Sequence, residues 1–298
     1  MGRRRGPKFW VAAGLKIAFF LVFAWFYTGR FVGALSQLEK PPSIDPLWLG
    51  LSLALSVLAY LGFPAALFSL AGGLSRRQAA TVYLLSSPAK YVPGKVWPTV
   101  VFTALSQRFG LGLGEALGLV FWLNLGVLVS GLALGSWTLH PLLSLLVFAA
   151  LASLHLLAPF QSYLSKKHRL QRVLATFPGR SAFVGAVLWQ AAYWVLQGVA
   201  SCCLLRGMGF AVSLEQVPQL VGGFAASALL GILAPFAPGG LGVREVALSH
   251  FLTSFLPPVE AALAPAFLRI LQMVVEGSGL VVGLYLLKRR NEDSQVRF

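Results

Sequence analysis

Residues 217–256 read VPQLVGGFAASALLGILAPFAPGGLGVREVALSHFLTSFL. The stretch is apolar enough for a membrane, yet its centre, Ala237-Pro238-Gly239-Gly240-Leu241-Gly242, breaks a helix. Proline removes a backbone donor, and glycine permits turns that other residues resist. Residues 79–107 have the same construction around Tyr91-Val92-Pro93-Gly94-Lys95. Backbone freed inside a bilayer must be buried in protein or face a water-lined cavity. Each region therefore reads as a re-entrant helical hairpin, with Pro93 and Gly94 turning the first and Pro238, Gly239, Gly240 and Gly242 the second.

The rest of the chain supplies the membrane setting. With 57% hydrophobic and 11% charged residues in 298, and a mean hydropathy of +0.76, the apolar surface exceeds what one water-soluble core can hide. Six runs are long enough for a hydrocarbon layer of about 30 Å: residues 10–29, 47–71, 116–137, 141–158, 181–205 and 262–287. The first reads as a retained helix, since the cleavage pattern after it is poor for a signal peptide. The expected architecture is thus an all-α polytopic membrane protein, a single integral membrane domain of six transmembrane helices plus two re-entrant hairpins. Counting each broken region as two crossings gives ten spans with short pieces; counting each as one gives eight and moves basic loops outside.

The formal charge of +15 is spread in short clusters between apolar runs, so it excludes a nucleic-acid stripe and fits cytoplasmic retention. Arg3, Arg4, Arg5 and Lys8 precede the first run, Arg76 and Arg77 follow the second, and Lys166, Lys167, Arg169 and Arg172 crowd the loop after the fourth. Lys288, Arg289 and Arg290 close the last. Six spans with two hairpins put all these clusters and both termini on the cytoplasmic side, in a cell inner or plasma membrane. Residues 47–137 and 181–287 then have the same order of span, hairpin and span but start on opposite sides, as in an inverted repeat.

The polar residues near the breaks are the candidate substrate-binding set: Lys90, Tyr91 and Lys95 at the first, Arg244 and Glu245 at the second. A helix starting after either turn offers unpaired N–H groups, which with nearby cations suit an anionic headgroup. The bland alternative has both lysines snorkelling to the interface and Arg244 pairing with Glu245 or Glu276. Arg269, Gln272 and Glu276 recur at three, four and seven residues on one helix face and are candidates for a pathway. Asn124, Gln190 and Gln197 fit helix–helix hydrogen bonding.

No catalytic set stands out. The four histidines are dispersed, Ser249 beside His250 cannot face it on a helix, and the adjacent Cys202 and Cys203 make no disulfide framework. No metal site or cofactor is expected.

The strings Lys90-Tyr91-Val92-Pro93-Gly94-Lys95-Val96-Trp97 and Pro238-Gly239-Gly240-Leu241-Gly242-Val243-Arg244-Glu245 resemble the paired motifs of the lysylphosphatidylglycerol synthase transmembrane-region family, which are flippase-like membrane proteins. The resemblance covers about residues 10–290 and implies lipid transport. Family members are similar to the lipid-translocating part of bacterial aminoacyl-phosphatidylglycerol synthases, and some relatives are associated with hopanoids or polyprenyl-linked glycans. The expected partners are therefore membrane lipids: an anionic phospholipid, a hopanoid or a polyprenyl-phosphate-linked lipid. A transmembrane unit without the soluble aminoacyl-transfer domain is expected. A non-transporting accessory protein for a glycosyltransferase or another lipid-processing enzyme is the alternative. The favoured topology predicts that a cysteine at position 108 reacts with an impermeant thiol reagent only from the cytoplasmic side.

Overall fold

The computed structural model describes residues 43–92, 95–136, 176, 178–234 and 237–295, with Gly29, Gly33 and Ser36, and side chains as far as Arg289. The expected spans at 10–29 (Gly29 apart) and 141–158, the basic loop around Lys166 and Arg172, and Pro93 and Gly94 lie outside the described residues. Within them the chain is all-α.

Among the described residues eight α-helices are bounded, in chain order: α1 (Pro46–Leu70), α2 (Arg76–Ser86), α3 (Trp97–Arg108), α4 (Leu113–Gly135), α5 (Arg180–Gly207), α6 (Val217–Leu233), α7 (Val243–Leu252) and α8 (Pro258–Gln295). Their starts follow from local chemistry. The Asp45 carboxylate accepts from Leu47 N (2.9 Å) and Trp48 N (3.4 Å) to open α1. Ser75 and Gln78 satisfy each other's backbone amides at the head of α2. Gly112 N donates to Glu115 at 2.9 Å to open α4.

Five helical segments are long and apolar enough to cross a membrane: Pro46–Leu70, Leu113–Gly135, Arg180–Gly207, Leu214–Leu233 and Pro258–Arg289. Four coincide with expected spans. The fifth lies in the region read as the second hairpin, where a 3-10 turn at Leu214–Gln216 runs into α6 and gives 20 residues before the break. That arm ends at Ala234, which adopts extended backbone (ψ 103) because Pro235 follows it. The remaining hairpin helices α2, α3 and α7 have 11, 12 and 10 residues, about half a bilayer at about 1.5 Å per residue. The last helix also outruns its expected bounds, reaching 38 residues.

Large apolar side chains cover the outside of the long helices as well as the core, and polar side chains on the same helices are buried between them. Leu53, Leu132, Leu188 and Val281 are exposed on the long helices, while Ser52, Ser56, Gln190 and Gln197 are buried between them. Ser52 Oγ donates to Ala200 O at 2.7 Å and Ser56 Oγ to Gln197 Oε1 at 3.5 Å, tying α1 along α5. Gln190 Nε2 donates to Leu123 O at 2.9 Å, tying α5 to α4. Gln190 and Gln197 thus make the interhelical bonds expected of them. Asn124 instead donates to Val120 O of its own helix, 2.7 Å away.

One kind of glycine packing occurs at two helix pairs. At one pair, Gly131 and Gly135 of α4 receive Leu229 and Ala226 of α6; at the other, Gly279 and Gly283 of α8 receive Leu84 and Leu85 of α2. Glycines four apart let helix backbones approach closely where lipid gives no hydrophobic drive.

Gly198 is the tightest such approach between α5 and α6, where an added Cβ would lie 2.7 Å from Val221 Cα and 2.8 Å from Val221 N. Backbone cannot step aside as a side chain can. Gly198→Val is expected to cost at least about 1–3 kcal/mol through overpacking. Gly50→Ala, with nothing within 4 Å of the new Cβ, leaves stability unchanged or slightly raised. Thermal unfolding of both variants in detergent checks the pair.

Candidate functional site

At the first break, Pro88 turns α2 into a 3-10 turn at Ser87–Tyr91, which carries Lys90 and Tyr91; Lys95 stands just before α3. At the second, Pro238–Gly240 form another 3-10 turn. Gly239, Gly240 and Gly242 have φ of 58°, 74° and 85°, values that L side chains rarely adopt. The turn is also tight: a Cβ at Gly240 would sit 3.0 Å from Gly231 Cα. Pro238, Gly239, Gly240 and Gly242 thus lie in the turn between α6 and α7.

The two breaks meet. A Cβ at Gly239 would lie 3.1 Å from Tyr91 Cδ1 and 3.1 Å from Arg269 Nη2. Arg269, 7% exposed on α8, is the link: its Nη2 donates to Gly239 O at 2.7 Å, its Nε lies 3.6 Å from Glu245 Oε1, and its guanidinium stands 5.2 Å over the Tyr91 ring. The other Glu245 oxygen accepts from Gly242 N at 2.6 Å, capping α7.

About two turns along α8, Glu276 Oε1 accepts from Lys90 Nζ at 2.7 Å. Lys95 crosses from the first hairpin to the second, where its ammonium donates to Ile232 O (2.7 Å) and Gly231 O (3.3 Å). Those carbonyls close the last turn of α6, where a cation complements the negative end of the helix dipole. Lys90 thus binds α8, and Lys95 binds the end of α6 across the two breaks. Arg244 does not pair with Glu245 or Glu276, since each carboxylate has another cation. Adjacent residues on a helix point about 100° apart, so Glu245 faces α8 while Arg244 faces the opposite hairpin arm. The Arg244 guanidinium lies 4.4 Å over the Phe224 ring, and among the described residues no carboxylate comes within 4.0 Å of it.

These groups surround a cavity of about 370 Å³ to which all eight described helices contribute. Lys90, Lys95, Arg244, Arg269 and Glu276 line it directly. Tyr91, Glu245 and Gln272 stand behind. Gln272 Nε2, Glu245 Oε1 and Arg269 Nε lack hydrogen bonds among the described residues and share a void of about 10 Å³, at the margin of holding one water. Sequence reasoning missed the aromatic wall: Phe63 stacks on Tyr83 (centroids 5.0 Å, planes 4° apart) and meets Tyr193 edge-on at 4.7 Å. The available signal was a tyrosine in the middle of an apolar span, at Tyr60 and Tyr193. Asn124, expected between helices, also faces the cavity.

The chain matches the family described as the lysylphosphatidylglycerol synthase TM region over residues 11–276, a stretch holding both breaks and ending at Glu276. No curated protein matches it in sequence.

Arg269→Met removes the partner of Glu245 and the donor to Gly239 O in a buried setting. A loss of about 3–5 kcal/mol is expected. Adding Glu245→Gln to Arg269→Met removes the stranded charge and should recover part of that loss, as a double-mutant cycle on detergent-solubilised protein would show.

Proposed function

Because the chain belongs to the lysylphosphatidylglycerol synthase transmembrane-region family, we propose that this multi-pass membrane protein moves an amphiphilic lipid with an anionic headgroup between leaflets. The observation that carries this reading is Arg244, held over Phe224 without a carboxylate partner and lining a cavity between two interrupted helical regions. A charged side chain in a membrane interior is costly unless it meets protein, water or a polar ligand. A headgroup phosphate entering the cavity supplies the missing anion, with charge-assisted hydrogen bonds from the guanidinium. The lipid tail stays in the bilayer, so only the headgroup needs a protected route.

The equivalent packing of α2 on α8 and α6 on α4 supports an inverted repeat of residues 47–137 and 181–287. Under the six-span topology the breaks approach from opposite faces, and rocking of one half against the other alternates access. Lys90 and Lys95 are proposed to contact the headgroup once its phosphate competes for them, while Arg269 and Glu276 line the route with Gln272 behind them. Both termini are placed in the cytoplasm.

The test is reconstitution into vesicles with labelled anionic phospholipids and polyprenyl phosphates. The wild-type protein should move at least one of them between leaflets, Arg244→Gln should slow that movement at least tenfold, and Lys95→Ala should slow it less. Equal rates for Arg244→Gln and wild type would overturn the assignment of the headgroup to this cavity.

A further inference from the structure

A second recognition point lies in the same cavity. Tyr60 and Glu276 both line it, at 6% and 8% exposure, and neither the Tyr60 hydroxyl nor Glu276 Oε2 makes a hydrogen bond of good geometry among the described residues, with the Ser87 hydroxyl as polar neighbour of Tyr60 and the Tyr91 hydroxyl as that of Glu276. They belong together in space: the Tyr60 ring lies against Gly279, three residues after Glu276 and on the same helix face. Leaving a buried hydroxyl and a buried carboxylate oxygen unmatched is expensive, and such pairs in a cavity wall mark where a partner sits.

The chemistry of that partner is constrained. Glu276 Oε2 only accepts, whereas the tyrosine hydroxyl both donates and accepts. A ligand hydroxyl satisfies both groups, donating to the carboxylate and accepting from the phenol. An ammonium group fits worse, because the Lys90 ammonium already lies 2.7 Å from the other oxygen of Glu276. A second cation would meet that like charge, with Arg269 and Arg244 also lining the cavity.

Resting on the reading of the cavity as a headgroup site, we propose that Tyr60 and Glu276 select a phosphodiester headgroup bearing a neutral hydroxylated group, a polyol or sugar, over one bearing an ammonium. Arg244 holds the phosphate and Tyr60 with Glu276 reads a hydroxyl beyond it.

The experiment titrates the purified full chain in detergent with three short-acyl probes: phosphatidylglycerol, phosphatidylethanol and phosphatidylethanolamine. The first two carry the same charge and differ in the hydroxyls; the third carries an ammonium. Phosphatidylglycerol should bind several-fold more tightly than either other lipid. Tyr60→Phe keeps the ring and should weaken phosphatidylglycerol about fivefold, the value of one hydrogen bond, while leaving phosphatidylethanol unchanged. Its ligand-free melting temperature should hold or rise, since an unmatched buried hydroxyl has been removed. Equal affinity for phosphatidylglycerol and phosphatidylethanol, tighter binding of phosphatidylethanolamine, or no effect of Tyr60→Phe overturns the proposal; the last result means that an ordered water alone fills the gap. Arg244→Gln separates the two levels. If it weakens all three lipids, the headgroup reading stands whatever becomes of the hydroxyl pair; if it weakens none, both fall.

Discussion

The buried guanidinium of Arg269 holds the structure's centre together. It reaches the carbonyl of Gly239 and the carboxylate of Glu245 at one break and the ring of Tyr91 at the other. Two interrupted helices inside a bilayer leave backbone groups that lipid cannot satisfy. A side chain with five donors and a flat face can serve a carbonyl, a carboxylate and an aromatic ring at once, which a lysine cannot. The glycines supply the other half of the arrangement. Their positive φ angles bring the Gly239 carbonyl to Arg269, and the absence of a Cβ at Gly239 leaves room for Tyr91.

With that clamp in place, the remaining charges divide. Lys90 is paired with Glu276, and Lys95 caps the end of α6. Arg244 is left with the Phe224 ring, the neighbouring Tyr193 hydroxyl and an open cavity. A cation over a ring gains about 0.5–2 kcal/mol, which offsets only part of its desolvation. The proposed lipid headgroup answers that imbalance. Lys90 and Lys95 are held by protein groups, and Arg244 is the cation proposed to meet the headgroup.

Much of this was legible in the residues. The two breaks, the long spans within the described residues and the shared face of Arg269, Gln272 and Glu276 follow from periodicity, proline and glycine. The pairing of charges did not. Arg244 and Glu245 are neighbours in sequence, and only the direction of α7 decides which one meets α8. Tyr60 and Tyr193 were likewise hidden, because an apolar span does not declare which of its sides turns inward. The length of α6 was masked by a break counted from its centre, whereas Ala234 before Pro235 sets where the helix stops. The glycines at 131, 135, 279 and 283 are plain in the sequence, but their partners required the packing of α4 on α6 and α8 on α2.

The most direct test of a polar, water-reached cavity between the two breaks is thiol accessibility. Asn124→Cys and Thr99→Cys line the cavity, whereas Leu188→Cys, 63% exposed on α5, faces outward into lipid. In membranes, a small charged thiol reagent should modify the first two and spare the third, because only a hydrated thiol ionises and reacts. Failure of both cavity positions to react, or equal reaction at position 188, would contradict the account.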